Sequence, residues 1–300
     1  MKKSQYDINY SFIIPHKNTP NLLQRCLDSI PQRRDIEVIV VDNNSSTEIV
    51  DFYHFPGRKR ADVSIIKDNV SVGAGGARNT GLKEARGKWV LFADADDYYC
   101  EEFLMVLDQY IDSDYDVIYF NFIIKKGYVT VDLPRRWDFL KNYTNSPQPD
   151  ALKYQITVPW NKMMRRYTLL ERTIKFEDCL VGNDIFFSYQ VGYFIKSFAF
   201  EQSKLYCYIN NKLSTTHRKN NTKEYYCCLF RHVFQCNEFR KFIHRQEWNR
   251  SLLNKFLAIL FKKGFLQFCY SFMVWVWNYR SIISQKYGFV EQLKSINERS

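Results

Sequence analysis

Three aspartates, Asp94, Asp96 and Asp97, stand at the end of the apolar run 89–94 (WVLFAD). Alternate side chains of an extended chain share a side, so Asp94 and Asp96 face the same way. Two carboxylates held together repel, and the repulsion raises a pKa unless a cation intervenes. A hard divalent ion with oxygen ligands answers that need, and Mg2+ or Mn2+ shared with substrate phosphates fits best. Asp97, ahead of Tyr98 and Tyr99, is placed to cap a helix running through Leu107. Capping needs only one carboxylate, which leaves Asp94 and Asp96 as candidate metal ligands.

Other residues carry chemistry with a structural alternative beside it. Asp42 ends the run 36–42 (IEVIVVD), where a carboxylate can accept from a ring N–H. It can equally cap a helix near Glu48, a role open to Asn44, Ser45 or Ser46 as well. Residues 73–78 (GAGGAR) suggest a dinucleotide loop, but Arg78 stands where G-x-G-x-x-G needs glycine. The small residues suit a close approach of backbone to a ligand or a sheet. Arg78 can fork onto diphosphate oxygens, or simply lie exposed on a helix. Asp184, between Gly182-Asn183 and Ile185-Phe186-Phe187, reads as a helix start and natural cap. Trp160 can stack on a sugar ring or pack in a core. Glu177 and Asp178 can shape an acceptor pocket or lie solvated, and His217 is a single histidine in STTHRKN.

The elements that must position these groups alternate strands with helices. Strands are expected over 11–15, 36–42, 62–67, 89–94 and 116–124, a helix over 21–30, and the end of another at 81–86. Residues 134–150 read as a loop or linker, 152–193 as helix-rich, 197–209 as a strand, and the chain from 223 as helical. Ligands of parallel sheets sit beyond the carboxyl ends of the strands. Here those ends read Pro15-His16-Lys17-Asn18, Asp42-Asn43-Asn44-Ser45-Ser46 and Asp94-Ala95-Asp96-Asp97. Polar and acidic groups thus gather at one edge.

The 300 residues, 46% hydrophobic and 25% charged, suffice for a large buried core and exclude wholesale disorder. Of the net charge of +11, residues 1–217 contribute +1 and residues 218–300 contribute +10. That tail interleaves basic and aromatic groups, with exposed Phe272, Trp275 and Trp277 expected beside a helical face of Leu252, Phe256, Leu260 and their neighbours. Such a surface suits an anionic inner leaflet, or packs on the rest of the protein. Nucleic acid is not expected as a partner, because no helix-turn-helix, RNP or zinc pattern appears. The eight cysteines form no CxxC pair, which points to reduced thiols and gives no zinc motif. The polar residues 1–11 do not read as a secretory signal, and the longest apolar stretch, 264–277, is short of a membrane span. A cytoplasmic protein, peripheral on the inner face of the membrane, is the expected setting.

In order along residues 10–190, the segments SFIIPHKN, CLDSI, IEVIVVDNNSS, NVSVGAGGARNTGLKEARGKWVLFADADD, VPWNKMMRR and IKFEDCLVGNDIFF resemble glycosyltransferase family 2, inverting enzymes of GT-A fold. Asn43 departs from the acidic residue common there, and Asn183 precedes Asp184 where Glu-Asp is usual. The resemblance implies an α/β, Rossmann-like nucleotide-sugar domain over 1–217 with a mixed sheet, and a helical C-terminal extension over 218–300. Residues 1–125 would form the nucleotide half and 126–217 the acceptor half. It implies that Pro15, His16 and Asp42 line the nucleotide, with Asp42 on a uracil edge, that Arg78 and Asp94 contact the donor, and that Asp94 and Asp96 hold Mn2+ or Mg2+. Asp184 becomes general base on an acceptor hydroxyl, with Trp160, Glu177 and Asp178 on the acceptor side and His217 as a late metal-side histidine.

The function so implied is transfer of a sugar from a nucleotide diphosphate donor, UDP-linked first, to a glycan or lipid-linked acceptor in bacterial surface polysaccharide synthesis. Two rivals use similar parts. A metal-dependent nucleotidyltransferase would release pyrophosphate, and a non-catalytic membrane-associated protein would bind nucleotide sugar without turnover.

Overall fold

The computed structural model describes residues 7–177, 179, 182–210 and 221–298. The chain divides into two compact units, residues 1–178 with 183–217, and residues 179–182 with 218–300.

Four parallel strands carry the site in the first unit: β1 (Tyr10–His16), β2 (Ile36–Asp42), β3 (Val63–Lys67) and β4 (Trp89–Phe92), in the order β3-β2-β1-β4. Every residue of β1, β2 and β4 is buried, as near-continuous apolar runs require when both faces of a parallel sheet are covered. Helix α1 (Pro20–Asp28) starts with proline, whose fixed φ suits the first helical position, and buries Leu23, Cys26 and Leu27. Helix α2 (Gly73–Glu84) starts at Gly73, φ +69°. It lies so close to β1 that a Cβ on Gly81 would sit 2.5 Å from Ile13 Cγ2.

Beyond β4 the chain forms β5 (Tyr98–Tyr99), α3 (Phe103–Asp108), β6 (Val117–Lys126), β7 (Val129–Val131), α4 (Pro149–Gln155), β8 (Lys162–Arg165), α5 (Arg166–Glu171), α6 (Asn183–Phe194) and β9 (Phe198–Ile209). Among the described residues one mixed sheet runs β3-β2-β1-β4-β8-β6-β9-β5, with β7 on β6. It crosses residue 125 without a break. Strand β8 is antiparallel to both neighbours, β4 and β6. It falls inside the stretch expected to be helix-rich. Four residues, KMMR, show no usable period, and Lys162, Met163 and Met164 are buried by strands remote in sequence. The loop expected over 134–150 contains a 3-10 helix, Arg135–Asn142, because Trp137 and Leu140 bury themselves there.

In the second unit, α7 (Lys223–Phe242), α8 (Leu252–Lys263), α9 (Phe265–Ser284) and α10 (Gly288–Glu298) follow one another. Thr222 and Ser251 cap α7 and α8, accepting from the N–H groups of Tyr225 and Asn254. Tyr226, Phe230, Phe256, Ile259, Val274 and Ile282 form the core. Phe261, Leu266 and Trp277 are 83%, 82% and 79% exposed. Phe272 is exposed as expected, whereas Trp275 is half-buried against Phe256, Phe272 and Tyr279. Among the described residues no helix is long and apolar enough to cross a membrane.

Candidate active site

Side-by-side pairing of β2, β1 and β4 brings the ends of three strands to one rim. Pro15 is buried in β1 opposite Val41, and His16 lies opposite Asp42. His16 Nε2 accepts from the Thr19 N–H at 3.1 Å, which leaves the ring proton on Nδ1, 2.8 Å from Asp42 Oδ2. Ser45 also binds Asp42, through Oγ at 2.6 Å and its N–H at 3.1 Å. Burial works upward on the Asp42 carboxyl, but the bonds from His16 and Ser45 outweigh it and hold it below the usual range. No helix follows near Glu48: Asp42 instead pins the turn through Ser45. Asn43 donates to the Ser71 carbonyl at 2.9 Å, fixing the loop that leads into α2.

Asp68, directly after β3, joins this rim, and sequence reasoning passed over it although it too ends a strand. Burial opposes its charge, yet bonds from Ser71, Thr80 and the Val70 N–H bring it to about 2.

The run after β4 is a turn rather than extended chain, closed by Asp97 N–H to the Asp94 carbonyl at 3.0 Å. Asp94 and Asp96 are half-buried. Burial first and Asp94 second push the Asp96 carboxyl up to about 6. Asp97 is not a helix cap, since the residue before α3 is Glu102, φ +64°. It is fully buried, accepting from Tyr206 Oη at 2.9 Å and the Ile209 N–H at 2.7 Å. Tyr206 Oη in turn accepts from the Asp94 N–H at 2.9 Å, so β9 holds the acidic turn in shape. Arg25 of α1 donates to the Asp96 carbonyl. A crowded carboxylate pair whose charge is raised in cost by burial fits a divalent cation held by Asp94 and Asp96.

Arg78 is not an exposed helical arginine: it is 5% exposed and paired through Nη2 with Asp94 Oδ1. Nη1 donates to Asn183 Oδ1 at 3.3 Å, the guanidinium lies 5.2 Å from the Phe176 ring centroid, and Nε has no partner among the described residues. Asn183 and Asp184 open α6, and Asp184 is half-buried. Burial raises its pKa, with Asp94 adding to the rise and Arg78 and Lys162 opposing it. The rim carboxylates and the α6 carboxylate therefore share one electrostatic neighbourhood.

Lys162, not singled out from the sequence, is fully buried with Nζ donating to the carbonyls of Ile156 and Val158 and to Asn161 Oδ1. Burial brings it down to about 7, with Asp184 pulling the other way. Helix α2 fixes the approach to α6. A Cβ on Gly75 would lie 2.6 Å from the Glu177 carbonyl oxygen and 2.7 Å from Asn183 Cβ. Asn79 makes a reciprocal pair with the Phe176 backbone, at 2.8 and 2.9 Å.

Trp160 is 3% exposed and packed against Tyr206, Tyr208 and Phe122 at 4.8, 5.7 and 4.7 Å. The sugar-stacking role is corrected to core packing, because no indole face is open. Glu177 is half-buried, while Asp178 and His217 lie outside the described residues.

The sequence profile described as Glycosyl transferase family 2 matches residues 11–172, more than half of the chain. A poly(ribitol-phosphate) beta-glucosyltransferase of Bacillus spizizenii is 36% identical over 100 residues, 32% of this chain and 16% of that protein. An uncharacterized glycosyltransferase, YibD, of Escherichia coli is 25% identical over 225 residues, 70% of this chain and 64% of that protein. The chain thus spans less than two thirds of either relative. Among solved structures, residues 1–349 of S. aureus TarS in complex with UDP-GlcNAc superpose with a TM-score of 0.62 at 20% identity, covering 76% of this chain and 66% of that one. The mixed sheet is the GT-A fold.

Proposed function

The chain belongs to glycosyl transferase family 2, and from that premise we propose that it moves a sugar from a nucleotide diphosphate donor, UDP-linked first, to a glycan or lipid-linked acceptor in cell-surface polysaccharide synthesis. The observation that carries this reading is the bridge made by Arg78, which pairs with Asp94 and reaches Asn183 beside Asp184. One side of the bridge offers donor-binding carboxylates and the other a carboxylate of raised proton affinity. The buried His16–Asp42 pair would hold the strand end that meets the nucleotide, with Pro15 shaping it. Asp94 and Asp96 would hold Mn2+ or Mg2+, which would supply positive charge against the diphosphate. Asp184 takes the acceptor hydroxyl proton as the acceptor oxygen bonds to the anomeric carbon and the bond to the nucleoside diphosphate breaks, giving inversion. Burial of Asp184 supports its use as a base, because a raised pKa draws the proton more strongly. Glu177 is assigned to the acceptor side.

Product analysis with UDP-, GDP- and dTDP-sugars and Mn2+ tests this reading. Release of UDP with transfer to a glycan acceptor is expected. Pyrophosphate release from a nucleoside triphosphate would overturn it in favour of nucleotidyl transfer, and binding without turnover in favour of a non-catalytic role.

Residues 218–300, net +10, combine that charge with the exposed Phe261, Leu266 and Trp277 of α8 and α9. This supports a peripheral contact with an anionic inner leaflet, where apolar groups enter the interface and Lys/Arg meet headgroups. Phe261→Ser with Trp277→Ser should reduce sedimentation with anionic vesicles, and wild-type binding should weaken with salt; equal sedimentation of both proteins would overturn the contact.

A further inference from the structure

A second set of metal-competent donors, made of thiols and an imidazole, stands apart from the carboxylates. Cys179 and His232 are buried and Cys228 is half-buried, and their ligating atoms lie within 4.8 Å of one another. Cys228 and His232 are one turn apart on α7, so both side chains leave the same helix face. Cys179 belongs to the same compact unit as α7. Cys228 Sγ is 3.7 Å from His232 Nε2. A thiolate about 2.3 Å and an imidazole about 2.0–2.1 Å from a tetrahedral zinc ion are about 3.6 Å apart, so this pair already stands at ligand-to-ligand separation.

We propose that Cys179, Cys228 and His232 form a zinc site in the helical unit, its shell completed by solvent. The donor set selects the metal: thiolate and imidazole suit zinc, whereas the oxygen ligands Asp94 and Asp96 suit Mn2+ or Mg2+. Arg231 Nη2, 3.8 Å from Cys228 Sγ, adds positive charge beside it. Zinc binding releases the thiol protons of Cys179 and Cys228 to solvent, leaving two thiolates to balance the dication. The spacing of these residues hid the site, because Cys179 is far along the chain from the Cys-x3-His pair on α7.

The proposal is independent of the glycosyl-transfer reading.

The test uses the full chain purified under reducing, chelator-free conditions. One zinc per chain is expected by elemental analysis. Cobalt substitution is expected to give a thiolate-to-cobalt charge-transfer band and tetrahedral d–d bands. Cys228→Ser and Cys179→Ser should lose both signals, His232→Cys should keep them with a shifted band, and Cys227→Ser on the same helix should keep them unchanged. Asp96→Ala should leave zinc content unaltered, separating this site from the carboxylates. Absence of zinc and cobalt uptake by the wild-type chain would overturn the proposal, as would wild-type uptake by Cys228→Ser. A Cys179–Cys228 disulfide in non-reduced peptide maps, with no metal uptake after reduction, would overturn it in favour of a redox pair.

Discussion

Arg78 and Asp94 form an ion pair at the rim of the sheet, with the arginine side chain 6% exposed and the aspartate 30%. A guanidinium so placed answers two partners at once, since its other terminal nitrogen reaches Asn183 Oδ1 at 3.3 Å. Any donor phosphate that engages Arg78, or any cation that engages Asp94, must share this pair.

Removing the guanidinium leaves Asp94 beside Asp96 without its countercharge. Arg78→Ala is expected to weaken UDP-sugar binding with Mn2+ by roughly tenfold or more, and to cost about 1–3 kcal/mol of stability. Arg78→Lys should restore the charge but not the fork, recovering less than half of the binding free energy lost. Calorimetric titration of the two variants checks this; full rescue by lysine would show that charge alone matters.

Asp96 should make metal binding pH-dependent. Its carboxyl is raised to about 6, and a ligand must be deprotonated to bind, so Mn2+ affinity should fall roughly tenfold per pH unit below that value. Without metal the sign for stability is the reverse. The folded carboxyl keeps its proton up to about 6 while the unfolded chain releases it at 3.8, so stability falls as pH rises through that window. Urea midpoints across the window, with and without Mn2+, should converge on the acid side and separate on the neutral side; parallel curves would contradict the assignment of Asp96 as a ligand.

Asp184→Asn keeps the size of the side chain at the start of α6 and removes the proton acceptor. Turnover should drop by about a hundredfold or more while donor affinity stays within a factor of about two. Steady-state rates together with donor titration separate the two effects. Surviving turnover would move the role of base to Glu177 or Asp178.

Gly75→Ala tests whether α2 sets the position of α6. The added methyl would lie 2.6 Å from the Glu177 carbonyl oxygen and 2.7 Å from Asn183 Cβ, and backbone there cannot yield cheaply. The expected result is a fall in kcat of about tenfold or more, since small misplacements of catalytic groups are costly. An unchanged kcat in a folded variant would disconnect α2 from the catalytic geometry.

Much of this architecture could be read along the chain. The run 36–42 is β2 from end to end, because seven consecutive buried positions leave an apolar signature that no neighbour need supply. The rim was legible for a related reason, as polar residues that stop an apolar strand mark the sheet edge. Residues whose partners lie far away were not legible. Asp97 resembled a cap, yet its partners are Tyr206 and Ile209 on β9. Trp160 looked like a sugar platform until Tyr206 and Tyr208 covered it. Lys162 was illegible for a different reason: its accepting oxygens are close in sequence, but they belong to irregular backbone and a side chain just before β8, which leave no pattern.

The position of β8 bears on how the protein is made. Strands β4 and β6 are synthesised early, but the strand between them, Lys162–Arg165, comes later. Until that segment leaves the ribosome, β4 presents an unpaired hydrogen-bonding edge, the kind of surface on which other chains nucleate. Pairings of such long sequence separation also slow folding. Chaperone demand should therefore peak while the nascent chain is between these two points, and fragments ending before residue 162 should aggregate rather than fold.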